Sequence, residues 1–238
     1  MQNIFVARDA GRAVAAIAVK PFAWIAGGRE FAAAMIGMVW TDPAWRGQGI
    51  ATRLLQFVDD ALRPVAEFAV LWTARPDFYA RSGWLAGDCA SFGEIAGTGS
   101  AQSRGSPADF ALARPLWQSL AQRVARDPAW EPPLPLAALS LEMYAAQGAY
   151  ALAGRQGDAL YCYEILGEPA RFDAIFRVMR AGCRTLYFNE RTGSPAYQWL
   201  AREGVSWQDK PLAMWLPLRA SFAPAATHDW YIPWLDRI

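Results

Sequence analysis

Histidine is almost missing from this chain of 238 residues; His228, near the C-terminus, is the one copy. Hydrolysis by a serine or cysteine nucleophile with a histidine base is therefore poorly supported. Lysine is nearly as scarce, with Lys20 and Lys210 alone, so arginine carries the basic charge. The net charge of +1 gives no footprint for nucleic acid or for an anionic membrane surface. Cysteine is sparse and odd in number, at Cys89, Cys162 and Cys183, with no Cys-x-x-Cys pair. That spacing argues against a disulfide framework and a zinc site, so no metal is expected, and a reducing cytoplasm fits best. No apolar run approaches the ~20 residues of a membrane span. Residues 13–26 come nearest and are broken by Lys20-Pro21. The start lacks the basic-then-apolar layout of a signal peptide.

What is abundant is apolar material. At 54% hydrophobic, with 12 Trp and 12 Phe, the chain has enough for one large domain or two small ones. Large aromatics of this number belong mostly in cores.

The runs 4–8 and 12–19, joined by Asp9-Ala10-Gly11, read as a hairpin with glycine in the left-handed position. Residues 22–25 continue the second strand past Pro21. Residues 31–41 form the next strand, apolar on both parities at its end and so expected to be buried on both faces. A helix is predicted over 48–63, with Ile50, Leu54, Phe57, Val58, Ala61 and Leu62 on one stripe. Pro64 stops it, and 65–73 reads as a buried strand. Pro76 opens a short helix that Gly83 ends. One or two closing strands fit 84–96.

The stretch 97–106, Gly-Thr-Gly-Ser-Ala-Gln-Ser-Arg-Gly-Ser, reads as a flexible linker and the domain boundary. It divides the chain into 1–100 and 101–238. Beyond it, 107–126 and 136–147 look helical, and 150–153 with 159–165 look like a hairpin. A helix over 169–181, a strand over 185–189, a helix over 195–203 and a strand over 211–218 follow. The aromatic tail 222–238 is expected to dock. A faint internal repeat pairs Gly11 with Gly157, and Tyr79–Gly83 with Leu200–Gly204. The second copy has no Arg-Gly-x-Gly.

The segment 46–52, Arg46-Gly47-Gln48-Gly49-Ile50-Ala51-Thr52, stands at a helix start. A helix N-terminus leaves four amides without intrahelical partners and carries partial positive charge. Glycines lacking a Cβ let a phosphate approach the backbone, Arg46 adds a cation and Thr52 a hydroxyl. Alone, the same pattern also describes an ordinary glycine turn. It is neither a Walker loop nor a Rossmann turn.

Taken with Val39-x-Thr41-x-Pro43 before it and Phe78-Tyr79-x-x-x-Gly83-Trp84 after it, the segment resembles the GNAT family of acetyl-CoA-dependent N-acetyltransferases. The hairpin and the Thr-x-Pro variant resemble its tandem group, which includes the enhanced-intracellular-survival type of aminoglycoside acetyltransferase. The resemblance implies an α/β (α+β) fold: a mixed central sheet flanked by helices, followed by a second, degenerate GNAT-like half.

It further implies that Arg46, Gly47, Gln48, Gly49, Ile50, Ala51 and Thr52 bind the pyrophosphate of acetyl-CoA. Val39, Trp40 and Thr41 would pair with the pantetheine arm. Tyr79 would protonate the leaving thiolate, a task that suits a phenol with a pKa near 10; a core aromatic beside Phe78 is the other reading of that residue.

The chain departs from the family in three ways. It starts almost at the hairpin, without the strand and two helices that the family places first, so the acceptor wall is expected to be missing or supplied by the second half or a partner subunit. Ala74-Arg75 stands where the family has Asn, and Arg75 is open to a cofactor or a surface role. No general base is identified: Glu30, Glu67 and the Ile238 carboxylate are candidates, with structural pairing the default for the first two. The acceptor is a small-molecule or peptide amine of unknown identity, and homo-oligomerisation stays open. A non-catalytic acyl-CoA-binding or scaffold protein is the alternative.

Overall fold

The computed structural model describes residues 3–99, 103–126, 141–220, 222 and 229–237. Two compact units share the chain. The first comprises Met1–Asp88 and Pro211–Trp230, the second Cys89–Lys210 and Tyr231–Arg237.

The first unit begins with strands β1 (Asn3–Asp9), β2 (Arg12–Ala26) and β3 (Arg29–Thr41). Helix α1 (Ile50–Leu62), β4 (Phe68–Trp72), the short α2 (Pro76–Ala80) and β5 (Leu85–Ala86) follow. The second unit opens with β6 (Ala90–Ala96), β7 (Ser106–Pro107), α3 (Phe110–Gln118) and β8 (Gln122–Val124). It continues through β9 (Leu141–Ala146), β10 (Ala149–Gln156), β11 (Ala159–Gly167), α4 (Phe172–Ala181), β12 (Thr185–Arg191), α5 (Pro195–Arg202) and β13 (Ser206–Asp209). Strand β14 (Ala213–Pro217) returns to the first unit.

The first unit's strands lie in the order β1-β2-β3-β4-β14-β5. Only the β3–β4 pair of that path is parallel. The second unit repeats order and sense as β9-β10-β11-β12-β6-β13, with β11–β12 parallel and β7 on the outer side of β9. The internal repeat is thus present as topology, with its register corrected. Because β2 matches β10 and β3 matches β11, the turn at Gly157 corresponds to that at Gly27-Gly28 rather than to Gly11. The pairing of Tyr79 with Leu200 stands, since α2 matches α5.

Alternation along the strands gives each sheet two buried faces. In the first unit Ile17, Val19, Ala69 and Leu71 pack with Leu54, Leu55 and Val58 of α1. On the opposite parity Trp24, Phe31, Phe68, Trp215, Phe222 and Trp230 form an aromatic cluster, with Phe68 and Phe222 stacked at 4.7 Å. The described part of the tail docks here and, through Tyr231 and Leu235, in the second unit.

Several expectations are corrected. The glycine-rich stretch is no free linker where it is described. Gly97 N–H donates to Arg184 O at 2.8 Å, and a Cβ on Gly97 or Gly99 would sit within 2 Å of the Cys183 or Ala181 carbonyl oxygen. These glycines serve close backbone approach, and residues 100–102 lie outside the described part. The division falls near residue 88 because β6 pairs within the second sheet.

Residues 141–146 form a strand, not a helix; Met143 and Tyr144 face opposite cores, which is strand parity. Residues 136–140, His228 and Ile238 lie outside the described residues. The region 107–126 holds a nine-residue helix and then β8. The end of β3 is not buried on both faces, for Met38 and Trp40 are exposed. On α1, Phe57 is exposed and Asp59 buried, the reverse of the expected stripe.

Among the described residues Asp59 Oδ1 has no hydrogen-bond partner, and burial pushes its carboxyl up to about 7, with Arg63 pulling it partly back. An acid raised from 3.8 to about 7 binds more protons folded than unfolded across that window. Its contribution to stability therefore falls as pH rises through the window and is least favourable above it. Allowing for partial solvent screening, Asp59→Asn should stabilise the protein at pH 8 by on the order of 1–2 kcal/mol. The gain should shrink toward pH 4. Urea unfolding at the two pH values measures both effects.

Candidate functional site

Strands β3 and β4 pair only at Ala33–Phe68, Ala34–Ala69 and Met35–Val70. Past Met35 they diverge, so the last residues of β3 have no partner on that side. A register shift against β2 opposite Gly37–Trp40 marks a bulge, and Met38 holds a φ of 50° within it. Such a bulge bends the strand and leaves backbone groups unpaired. A non-glycine residue in the left-handed region is costly and marks a position held by its surroundings.

The chain then turns. Asp42 accepts from Ala44 N–H at 2.9 Å and pairs with Arg12 at 2.6 Å, which fixes the one-turn helix Pro43–Trp45. Arg46 is tied back by its Nε donating to Thr41 O at 3.2 Å. Gly47 and Gly49 have φ of 77° and 72°, a region favouring glycine. Gly49 is also the N-cap of α1 and brings no side chain to satisfy the first-turn amides. Gly49, Ile50, Ala51 and Thr52 border the space that the diverging strands open.

That space is a cavity of about 600 Å³. Its walls include Val39, Trp40 and Thr41 of β3, then Arg46, Gly47, Gly49, Ile50, Ala51 and Thr52, and Tyr79 of α2. Gln48 is not on the wall; its amide donates to Ala44 O at 3.5 Å. The sequence reading missed Trp45, Thr73, Phe78 and Arg81, and left Arg75 open; all five line the cavity. Trp45 carries no motif signal on this point and Phe78 entered the motif only as the neighbour of Tyr79, whereas the arginines could have been suspected from the charge a diphosphate needs. Arg46, Arg75 and Arg81 give the cavity three cations and no carboxylate.

Tyr79 belongs to the core and to the cavity wall at once. Its ring packs in the core against Phe78 at 4.9 Å and Trp84 at 6.1 Å, while the residue also lines the cavity. Burial raises its pKa above 10, with Arg75 partly offsetting. Of the candidate bases, Glu67 is occupied by Arg29, and neither Glu30 nor Glu67 lines the cavity. No group of metal-ligating side chains occurs among the described residues, and no helix among them is long and apolar enough to cross a membrane.

Residues 1–87 match the sequence family described as the acetyltransferase (GNAT) domain. No curated protein matches the chain significantly. Among solved structures, the chain is similar to a GCN5-related N-acetyltransferase from Anabaena variabilis. The TM-score is 0.72 at 17% identity, over 91% of this chain and 63% of that one. Eis1 from Mycobacterium abscessus gives 0.61 at 14%, over 90% and 64%. A tandem GNAT protein from the clavulanic acid biosynthesis pathway gives 0.50 at 12%, over 93% and 84%. At such identities the likeness bears on fold, and the chain spans less than two thirds of the first two proteins. Residues 1–87 thus match the GNAT acetyltransferase domain family, within a chain that shares the fold of these solved GNAT proteins.

Proposed function

We propose that the first unit transfers the acetyl group of acetyl-CoA to an amine by direct attack. The observation that carries this reading is the opening between β3 and β4, with an uncapped helix N-terminus at one end and Tyr79 beside it. The pyrophosphate sits on the amides of 47–52, with Arg46 as counter-charge and the Arg75 and Arg81 side chains nearby. The pantetheine amides pair with the free edge of Val39, Trp40 and Thr41, as an added strand would.

The neutral amine attacks the thioester carbonyl carbon, and backbone N–H groups at the bulge stabilise the oxyanion. The C–S bond breaks, and the Tyr79 hydroxyl gives its proton to the sulfur. The acceptor nitrogen loses its extra proton to solvent or to a base still to be identified. Three arginines without a carboxylate suit a polyanionic cofactor.

Acetyl-CoA should raise the melting temperature of the intact chain, and thiol release with a panel of amines should follow. Arg46→Ala should weaken acetyl-CoA binding about tenfold, the value of one charge-assisted contact. Absence of any thermal shift with acetyl-CoA would sink the proposal. A shift without thiol release from any amine would favour a binding protein without catalysis.

A further inference from the structure

The second unit repeats the strand divergence. Strands β11 and β12 pair from Ala159–Thr185 to Cys162–Phe188 and no further, and β11 carries its own register shift between the pairs Leu152–Glu164 and Ala153–Cys162. A cavity of about 650 Å³ opens there, at the place in this unit that the acetyl-CoA cavity holds in the first. Its chemistry is inverted. Its charged wall residues are Glu164, Glu168, Glu190 and Arg191, against three arginines and no carboxylate in the first.

The anion-binding loop is also gone. Glu168-Pro169-Ala170-Arg171 stands before α4, Pro169 has no N–H, and Arg171 N–H is used by Glu168 O at 2.9 Å. Those two positions offer a pyrophosphate no free N–H, and the nearest carboxylates would repel one.

Two of the three carboxylates are accounted for. Glu164 is held by Arg126 and Tyr150, and Glu168 is exposed beside Arg171 at 3.9 Å. Glu190 differs. It is 8% exposed at the end of β12, and its hydrogen-bond partner among the described residues is the Ser194 hydroxyl, a long 3.4 Å away. A buried carboxylate so poorly served is costly unless something pairs with it. The same cavity is lined by half-buried Leu116, Leu120 and Leu166, which give it an apolar surface.

We propose that this cavity binds a small apolar primary amine, its ammonium paired with Glu190 and its hydrocarbon body on Leu116, Leu120 and Leu166. The inference is independent of catalysis in the first unit. It predicts a proton signature. Burial, then Glu164, raise the Glu190 carboxyl to about 8, with Ser194 and Arg237 opposing. The other groups on the cavity wall are Tyr163, Arg191, Glu168 and Tyr231. The free carboxyl is thus mostly protonated at pH 7, an arriving ammonium expels that proton, and affinity rises from pH 6 to pH 8.

Calorimetry on the full chain tests this with 2-phenylethylamine and n-octylamine, against 2-phenylethanol and 3-phenylpropionate. At least one amine should saturate a site with Kd below about 1 mM. The alcohol should bind about tenfold more weakly and the acid not at all. The heat at pH 7 should vary with the ionisation enthalpy of the buffer, reporting proton release. Glu190→Gln, which removes the ionisable carboxyl and keeps the shape, should weaken the amine about tenfold, abolish the proton release and leave coenzyme A binding unchanged. The proposal is overturned if neither amine saturates below about 1 mM, if the glutamine variant binds as tightly, or if coenzyme A competes with the amine.

Discussion

Replacing Tyr79 by Phe should lower kcat by about 100-fold or more while changing the affinity for acetyl-CoA by less than about twofold. The ring is a packing element, fitted against Phe78 and Trp84, and Phe preserves it. Only the hydroxyl is lost. If that hydroxyl protonates the departing sulfur, the loss falls on the transition state and not on ground-state binding, which is the pattern of a lowered kcat with an unchanged dissociation constant. Because burial raises the Tyr79 pKa above 10, the wild-type rate should show no fall from loss of this proton below about that pH. Stopped-flow thiol release and calorimetry with acetyl-CoA separate the two quantities. Unchanged turnover in the variant would leave Tyr79 a core aromatic and nothing more.

The largest expected loss of stability lies in the second unit. Arg126 is buried and donates to two carboxylates at once. Nε and Nη2 reach Asp236 at 3.0 and 2.7 Å, and Nη1 and Nη2 reach Glu164 at 3.0 and 2.5 Å. Tyr150 donates to the same Glu164 at 2.5 Å, and the guanidinium lies 5.4 Å from the Trp117 ring. Arg126→Met keeps much of the volume and strands two buried carboxylates, so a loss of about 3–5 kcal/mol is expected.

Urea unfolding of wild type and variant at pH 7 reads this loss. A deficit below about 1 kcal/mol at pH 7 would mean that solvent reaches the cluster.

Most of the first unit could be read from its residues, because local chemistry fixes it. Asp42-Pro43 before the glycines, the amphipathic run of α1 and Pro76 each set a local conformation. The cavity itself could not be read. It exists because β3 and β4 stop pairing after Met35, and strand divergence is a property of two segments and their twist rather than of either sequence. The same holds for Asp59, whose burial depends on what covers α1.

In the second unit the errors have a common source. Residues 141–146 contain no strong strand signal, and a charged residue, Glu142, sits inside the strand because Arg155 meets it at 2.9 Å. Tertiary pairing outweighed local preference. The glycine-rich stretch misled for a related reason, since glycine marks close approach as well as freedom.

Strand β14 lies between β4 and β5, although some 125 residues of chain separate it from β5. A ribosome adds roughly 5–20 residues per second. The inner place beside β4 therefore stays vacant until residue 217 has been made, well after the 46–52 loop and Tyr79 have emerged. Until then the backbone edge of Phe68–Trp72 is an open template for other chains. The stretch 1–87 is thus a recognisable sequence but not a portable module. Expressed alone it should aggregate, and supplying residues 205–238 in trans would be the direct way to rescue it.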